Sequence, residues 1–171
     1  MIYLSIGSNL KSKYGDRFDN ITRALNLLIA KKIKILKVSN FFESPSYPNK
    51  NYPKFINIIA EVEYKKKPKD LMKDILLIEK KMDRIRSLKD APRTCDIDII
   101  DFKGQVINNN SLSLPHPRAH ERNFVLFPLQ DINKEWQHPI SNKKIDFMIK
   151  KLNLKKRNEI TRLKESAIID I

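Results

Sequence analysis

Two aspartates, Asp96 and Asp98, stand one residue apart in the segment Arg93-Thr94-Cys95-Asp96-Ile97-Asp98-Ile99-Ile100. The isoleucines predict a buried strand, and successive side chains of a strand point to opposite faces. The two carboxylates therefore share one face, where burying them unpaired would cost several kcal/mol each. A divalent cation such as Mg²⁺ removes that cost, and Mg²⁺ bound to proteins usually also holds substrate phosphates. Two solvated acids at a strand end are the alternative interpretation.

Cationic side chains flank this aspartate pair in the sequence. They are Arg84, Arg86, Arg93, His116, Arg118 and Arg122. Guanidinium groups bind phosphate oxygens through two parallel hydrogen bonds and stabilise charge that spreads over a transferring phosphoryl group. We interpret Arg84, Arg93 and Arg122 as functional residues. A solvated surface position is the alternative for Arg86 and Arg118.

A third set of residues combines aromatic rings with an amide. Its members are Tyr47, Phe55, Asn57 and Phe124. Phe55 and Asn57 share a face of a predicted strand, so a flat heterocycle could stack on the first and hydrogen-bond to the second. Ordinary core packing is the alternative for the two phenylalanines. Asn57 needs partners in either case, because a buried unpaired amide is costly.

Other chemistries fit the sequence less well. Gly7-Ser8-Asn9 is too short for a phosphate-binding P-loop, and no Gly-Lys-Ser/Thr follows it. Cys95 is expected on the strand face opposite the aspartates, which argues against a nucleophilic role beside them. His116 and His120 lack the cysteine or histidine companions of a zinc site.

Length and composition predict the class of protein. A chain of 171 residues is long enough for one domain with its own core. The single Cys95 excludes an intramolecular disulfide, and no stretch has the length of a membrane span, so we expect a cytoplasmic monomer without a membrane partner. The net charge of +14, from 34 Lys+Arg against 20 Asp+Glu, permits a polyanionic partner. The lysines are spread along the chain, however, which also fits an AT-rich genome, and no nucleic-acid partner is expected.

The apolar patterning predicts the elements that position these residues. Strands are expected over 2–7, 33–43, 55–64 and around Asp96, and helices over 18–29, capped by Asp16, and from Pro68 to Met82. The order strand–helix–strand–strand–helix–strand predicts an α+β, ferredoxin-like split βαβ fold, in which helices pack on an antiparallel sheet. Pro45, Pro48 and Pro53 mark a long exposed loop before the third strand.

The C-terminal part of the chain has a weaker pattern. Residues 103–121 are expected to be rich in loops, a short helix to follow from Arg122, and another to span 143–152. These extra helices predict a three-layer variant of the fold. The sequence predicts a single domain over 1–152 and a charged extension over 153–171 that is helical or frayed.

Taken together, these motifs resemble the 6-hydroxymethyl-7,8-dihydropterin pyrophosphokinases of folate biosynthesis, from about residue 2 to residue 135. The most specific segments are Pro-Arg-Thr-x-Asp-x-Asp-Ile and Leu-Pro-His-Pro-Arg, in this order and spacing. All the matching segments are Leu4-Ser5-Ile6-Gly7-Ser8-Asn9-Leu10, Phe55-Ile56-Asn57, Ile78-Glu79, Arg84-Ile85-Arg86, Pro92-Arg93-Thr94-Cys95-Asp96-Ile97-Asp98-Ile99, Leu114-Pro115-His116-Pro117-Arg118 and Glu121-Arg122-Asn123-Phe124-Val125-Leu126.

The resemblance implies that the terminal pyrophosphate of ATP passes to the hydroxymethyl oxygen of the reduced pterin, with release of AMP. It implies that Asp96 and Asp98 hold two Mg²⁺ ions and that Arg84 and Arg93 close over the phosphates. The positions implied to bind ATP are Glu79, Arg86, Ile99, Ser113, His116 and Arg122. The positions implied to bind the pterin are Ser44, Pro45, Tyr47, Phe55, Asn57 and Phe124, with Phe55 and Phe124 on either side of the ring.

The chain departs from the family pattern around the arginine loop. Leu76 replaces a frequent glutamine, Asp83 stands where a glycine usually precedes Arg84, and Asp90 replaces a tryptophan that covers the pterin. The loop over 86–92 is also one residue shorter. These departures predict a different closure of the loop and a lower affinity for the pterin.

Two other functions are compatible with parts of the pattern. Nucleotidyltransferases also combine a Gly-Ser turn with an Asp-x-Asp strand, but they generally place the aspartates about a dozen residues after the turn, whereas Asp96 lies far from Gly7-Ser8. An RNA-recognition module would stack bases on strand aromatics such as Phe55. The signature of its central strand is missing here, and two aspartates would repel phosphate.

Overall fold

An antiparallel sheet organises the fold in the computed structural model, which describes residues 1–85 and 90–168. The strands along the chain are β1 (Ile2–Ser8), β2 (Lys34–Val38), β3 (Asn40–Ser44), β4 (Phe55–Glu63), β5 (Asp96–Phe102), β6 (Ile107–Asn109), β7 (Leu112–Leu114) and β8 (Thr161–Ser166). In the main sheet the order is β5-β1-β4-β3-β8, and β2 pairs with the C-terminal half of β4. This order is that of the predicted split βαβ fold, which is confirmed.

Helices cover both faces of the sheet. They are α1 (Arg17–Ala30), α2 (Pro68–Lys81), α3 (Asn123–Ile132), α4 (Ile145–Lys151) and α5 (Leu154–Asn158). One core, with Leu4 and Ile6 of β1, lies between the sheet and the helices α1 and α2. The other, with Tyr3 and Ile59, lies between the sheet and the helices α3 and α4. The predicted three layers are therefore present.

Local sequence signals explain where the first two helices begin. Asp16 accepts hydrogen bonds from the backbone of Phe18 and Asp19, and the Asp19 carboxylate accepts one from the backbone of Asp16, which completes a capping box. Pro68 occupies the first turn of α2, where its missing N–H costs no helical hydrogen bond. These two helices pack against each other, and α2 also contacts β5, the strand that carries the aspartates.

The structure differs from the prediction in three regions. Residues 33–43 form two strands that pair with different halves of β4. Residues 107–114 form a β-hairpin inside the segment expected to be loops. The prediction of a helical or frayed segment over 153–171 was wrong over Thr161–Ser166, which pairs with β3, and right for the short α5. Its last part, over 169–171, lies outside the described residues. The domain limits at residue 152 stay a prediction.

Among the described residues, no helix combines the length and the apolar character needed to cross a membrane.

Candidate active site

Asp96 and Asp98 lie at the end of the sheet where β1 finishes and β4 and β5 begin. In the strand register, Gly7 of β1 stands between Asp96 of β5 and Asn57 of β4, and Ser5 stands opposite Asp98. The prediction of a strand here is confirmed, and both carboxylates lie on the face covered by α3. The amide of Asn57 and the two acids therefore share a single surface.

Arginine side chains hold both oxygens of Asp96. Arg84 Nη1 lies 2.6 Å from Asp96 Oδ1, and Arg93 Nη1 lies 3.1 Å from Asp96 Oδ2. On the neighbouring acid, Arg122 Nη1 lies 3.1 Å from Asp98 Oδ2. All three arginines that we interpreted as functional therefore converge on the aspartate pair.

His116 completes the surroundings of Asp98. Its Nε2 lies 3.6 Å from Asp98 Oδ2, and its Nδ1 accepts a hydrogen bond from the backbone N–H of Arg118. Arg122 Nη1 lies 3.3 Å from the same Nε2 atom, so this side of the imidazole faces both a cation and a carboxylate. Burial lowers the pKa of His116, and burial together with the nearby Asp96 raises the pKa of Asp98.

Glu79 lies beneath the arginines and is only 1% exposed. Its carboxylate pairs with Arg84 and accepts a hydrogen bond of 2.9 Å from the backbone N–H of Ile97. It therefore joins α2 to β5 and orients Arg84. Its expected contact with ATP stays a prediction, and the geometry points to support of Arg84.

The other expected ATP residues have different positions. The Ile99 side chain is buried in the core beneath α1 and α2, so a contact with ATP would have to come from its backbone. The backbone N–H of His116 donates to Ile100, which brings the end of the β6–β7 hairpin, with Ser113, beside β5. Arg86 lies outside the described residues.

Two of the arginines that pair with the aspartates also contact the ring of a phenylalanine. The Arg93 guanidinium carbon lies 5.7 Å from the centre of the Phe55 ring. The Arg122 guanidinium carbon lies 5.4 Å from the centre of the Phe124 ring. The site thus contains two similar triplets, Phe55–Arg93–Asp96 and Phe124–Arg122–Asp98, and each places an aromatic ring beside a cation.

Asn57 finds the partners that its burial requires. Its Nδ2 donates to Ser44 Oγ over 2.9 Å and lies 3.5 Å from the carbonyl oxygen of Phe42. A Cβ atom at Gly7 would lie 3.0 Å from Asn57 Oδ1, so a larger residue there would crowd the amide. Pro45 follows Ser44 and is half-buried, and Tyr47, two residues further along, is 48% exposed.

Asn9 is a residue of this site that the sequence analysis did not single out. It is 1% exposed, and its Oδ1 accepts a 2.8 Å hydrogen bond from the backbone N–H of Arg93. Its own N–H donates to the Arg93 carbonyl, and its Nδ2 donates to the carbonyl of Pro53 over 3.0 Å. Asn9 therefore fixes the positions of an arginine and of the loop before Phe55.

Two departures from the family pattern near the arginines, Asp83 and Asp90, lie where the backbone has an uncommon conformation. Asp83 and Asp90 both have φ of 59°, in the left-handed region that favours glycine. The Asp83 carboxylate lies 2.9 Å from Lys13 Nζ, and this exposed ion pair connects the end of α2 with the loop after β1. Leu76 lies on the exposed side of α2 and is not one of the residues that form the site.

The donor set suits a hard divalent cation. Among residues 1–85 and 90–168, no cluster of three or more His, Cys, Asp or Glu side chains is arranged for a metal ion. The ligands that the described part of the protein can supply at this site are therefore the two carboxylates of Asp96 and Asp98. Mg²⁺ binds in this way, through one or two carboxylates, with water and substrate phosphates completing its octahedron.

Comparisons with known proteins give matches along most of the chain. The family described as 7,8-dihydro-6-hydroxymethylpterin-pyrophosphokinase matches residues 3–134. The 2-amino-4-hydroxy-6-hydroxymethyldihydropteridine pyrophosphokinase of Aquifex aeolicus is 34% identical over 83% of this chain and 86% of its own length. The folic acid synthesis protein fol1 of Pneumocystis carinii is 37% identical over 88% of this chain. The chain spans only 20% of the length of that fungal relative.

Solved structures share the fold. A Plasmodium falciparum HPPK-DHPS triple mutant aligns with a TM-score of 0.70 over 98% of this chain and 48% of its own, at 14% sequence identity. The wild-type Plasmodium falciparum HPPK-DHPS with pteroate aligns with a TM-score of 0.69 over 98% of this chain and 47% of its own, at 17% identity. At these identities the alignments establish the architecture alone.

Proposed function

The chain belongs to the 7,8-dihydro-6-hydroxymethylpterin-pyrophosphokinase family, and on this premise we propose that it transfers pyrophosphate from ATP to 6-hydroxymethyl-7,8-dihydropterin in folate biosynthesis. The observation that carries the proposal is the pair of Phe–Arg–Asp triplets. Each triplet presents a flat ring for a heterocycle next to an arginine and a carboxylate for a polyphosphate.

The aromatic side of the site binds the pterin in this proposal. Phe55 and Phe124 stack on the two faces of the ring, and Tyr47 and Pro45 close its rim. Asn57 offers its Oδ1 atom to the amino edge of the ring, while Ser44 holds the amide in place through the 2.9 Å hydrogen bond. The arrangement selects a planar molecule with hydrogen-bonding edges.

The charged side binds the triphosphate. Arg84 and Arg93 leave Asp96 and pair with phosphate oxygens, and Arg122 and His116 contact the nucleotide from the side of Asp98. Asp96 and Asp98 would hold Mg²⁺, two ions by analogy with the family, which when bound would neutralise phosphate charge and lower the pKa of a coordinated hydroxyl. Glu79 pairs with Arg84 and keeps its guanidinium group within reach of both Asp96 and the phosphates.

The reaction itself needs alignment more than covalent help. The hydroxymethyl oxygen attacks the β-phosphorus of ATP, the bond from that phosphorus to the oxygen bridging the α-phosphate breaks, and AMP leaves with that oxygen. The hydroxyl proton is released, and Asp98 is our candidate for its first acceptor. Positioning of the two substrates alone can lower such a barrier by about 7–11 kcal/mol.

The products of the reaction test the proposal. The purified protein is incubated with ATP, Mg²⁺ and the reduced pterin alcohol, and we expect stoichiometric AMP and pterin diphosphate. Release of inorganic pyrophosphate with transfer of AMP would instead indicate a nucleotidyltransferase. Salt-sensitive RNA binding without ATP turnover would indicate a recognition module.

Some expectations from the sequence stay predictions within this proposal. They are the cytoplasmic location, the monomeric state, the number of metal ions, and the absence of nucleic-acid and membrane partners.

A further inference from the structure

The C-terminal arm, which we define as residues 153–166, lies beyond residues 3–134 matched by the family. It contains α5 and β8 and follows directly on α4. Its contacts reach both sides of the proposed pterin pocket, although none of its residues belongs to the site described above. The arm therefore joins two walls of the pocket that are distant in the sequence.

One end of the arm is fixed beside Phe124. The Asn123 side chain donates a 2.7 Å hydrogen bond to the backbone carbonyl of Lys156. In return, Lys156 Nζ donates to the carbonyl of Glu121 over 3.1 Å. Asn123 is buried and immediately precedes Phe124, so this end of the arm is anchored to the wall that carries one aromatic ring.

The middle of the arm reaches the loop over 45–53, which carries Pro45 and Tyr47. Glu159 Oε2 lies 3.0 Å from Lys50 Nζ, with exposed side-chain fractions of 13% and 41%. Lys50 Nζ also lies 5.4 Å from the centre of the Tyr47 ring. The ion pair thus links the arm to the rim of the pocket through a single cation.

The last part of the arm extends the sheet next to the pocket. In β8, Thr161 pairs with Glu43 and Arg162 pairs with Phe42 of β3. The strand β3 ends at Ser44, which is in register with Phe55. The arm therefore has a fixed frame, and Glu159 projects from a backbone held on both sides.

We propose that Glu159 is a positioning residue for the pterin, acting through Lys50 on the loop that carries Tyr47. The inference rests on the proposed function. A loop of this length has many conformations, and fixing its middle reduces the ordering that pterin binding must otherwise accomplish. Among the described residues, Lys50 and Glu159 contact each other and Tyr47 but none of Arg84, Arg93 and Arg122, so the ion pair acts on pterin affinity and leaves nucleotide affinity unchanged.

The experiment compares equilibrium binding of the two substrates. The dissociation constant of 6-hydroxymethyl-7,8-dihydropterin is measured by fluorescence with saturating Mg²⁺ and α,β-methylene-ATP, and that of the ATP analogue is measured separately. We expect Glu159→Gln to weaken pterin binding about two- to fivefold, the range available to a partly exposed ion pair. At about 1 M salt the difference should disappear.

Two further variants make the result specific. Glu165→Gln, on an exposed position of β8 in the same arm, is the matched control and should bind the pterin like the wild type. The exchange Lys50→Glu with Glu159→Lys restores the ion pair with reversed polarity and should recover the affinity. Recovery by exchange would show that the ion pair, and not the Glu159 side chain alone, sets the pterin affinity.

Equal pterin affinity of the wild type and Glu159→Gln would overturn the inference, as would an equal loss of pterin and nucleotide affinity. Both outcomes leave the proposed function intact, because the wild type would still bind the pterin and release AMP. A wild type that binds no pterin would instead overturn the proposed function itself.

Discussion

Arg93 and Asp96 form an ion pair with 3.1 Å between Nη1 and Oδ2, so a carboxylate that we propose as a metal ligand is also the partner of an arginine. Arg84 occupies the other oxygen of the same group. Metal binding at Asp96 and arginine binding to phosphate are therefore linked. A metal ion on Asp96 releases the arginines for phosphate, and arginines bound to phosphate leave Asp96 open to the metal ion. Nucleotide and metal should bind cooperatively for this reason.

The first prediction concerns Arg93→Ala. Removal of the competing cation should strengthen the binding of Mn²⁺ to the protein without nucleotide by about three- to tenfold, since a partly buried carboxylate left without its partner attracts a cation. The same variant should lower kcat on the order of 100-fold, because the arginine no longer reaches the phosphates. Metal binding is followed by electron paramagnetic resonance and turnover by AMP release.

Arg118→Ala is the matched control for this prediction. Its guanidinium is exposed and contacts only Glu121 among the described residues, at 3.8 Å, so it should change neither quantity. Weaker Mn²⁺ binding in Arg93→Ala would contradict the linkage between the arginine and the metal.

The second prediction concerns Asp96→Asn and Asp98→Asn. Each change keeps the shape of the side chain and removes a charged ligand, so AMP formation should fall by at least about 1000-fold while the circular dichroism spectrum is retained. Asp74→Asn serves as the control, because Asp74 lies on α2 and its carboxylate pairs with Lys31 and Tyr64, away from the aspartate pair. Near-normal turnover in either active-site variant would refute the metal assignment.

The third prediction concerns Asn9. In Asn9→Ala the Arg93 N–H and the Pro53 carbonyl lose their partner, which should cost about 1–3 kcal/mol of stability and lower kcat/KM about 10- to 100-fold through misplacement. Asn9→Asp keeps the acceptor for Arg93 but loses the donor for Pro53. It should therefore raise the KM of the pterin more than it lowers kcat.

A stability control separates positioning from general damage at Asn9. Asn133 donates a 2.8 Å hydrogen bond to the Tyr3 hydroxyl, in the core beneath α3. Asn133→Ala should lower Tm while leaving both kinetic constants unchanged. If Asn9→Ala lowered Tm in the same way without any kinetic change, Asn9 would have no positioning role.

The sequence predicted the aspartate strand well because the signal is local. Isoleucines alternating with acids over 96–100 have the period of a strand, and the period alone places both carboxylates on one face. The role of Asn9 could not be predicted in this way. Its partners Pro53 and Arg93 lie 44 and 84 residues further along the chain, and an asparagine after Gly-Ser is typical of a turn.

The strand β8 was missed for a different reason. Along Thr161–Ser166 only Leu163 is half-buried, and the remaining positions are exposed and mostly charged or polar. An edge strand needs few apolar residues and often carries charges that prevent further pairing. Its sequence therefore lacks the alternation that identifies a strand. Its position depends on long-range contacts, namely pairing with β3, packing of Leu163 on the core and the ion pair of Arg162 with Asp131.

The fourth prediction concerns Cys95, the one cysteine of the chain. The thiol is buried, and burial, with contributions from Glu79 and Asp96, raises its pKa. Since the thiolate is the reactive form, iodoacetamide should modify the folded protein at less than about one hundredth of the rate of a free thiol. A change from pH 7 to pH 9 should accelerate the reaction of the unfolded chain, whose thiol has an ordinary pKa, far more than that of the folded protein. Mass spectrometry should find one adduct after denaturation. Rapid labelling of the native protein would contradict the prediction and show that the core beneath α1 and α2 opens readily around Cys95.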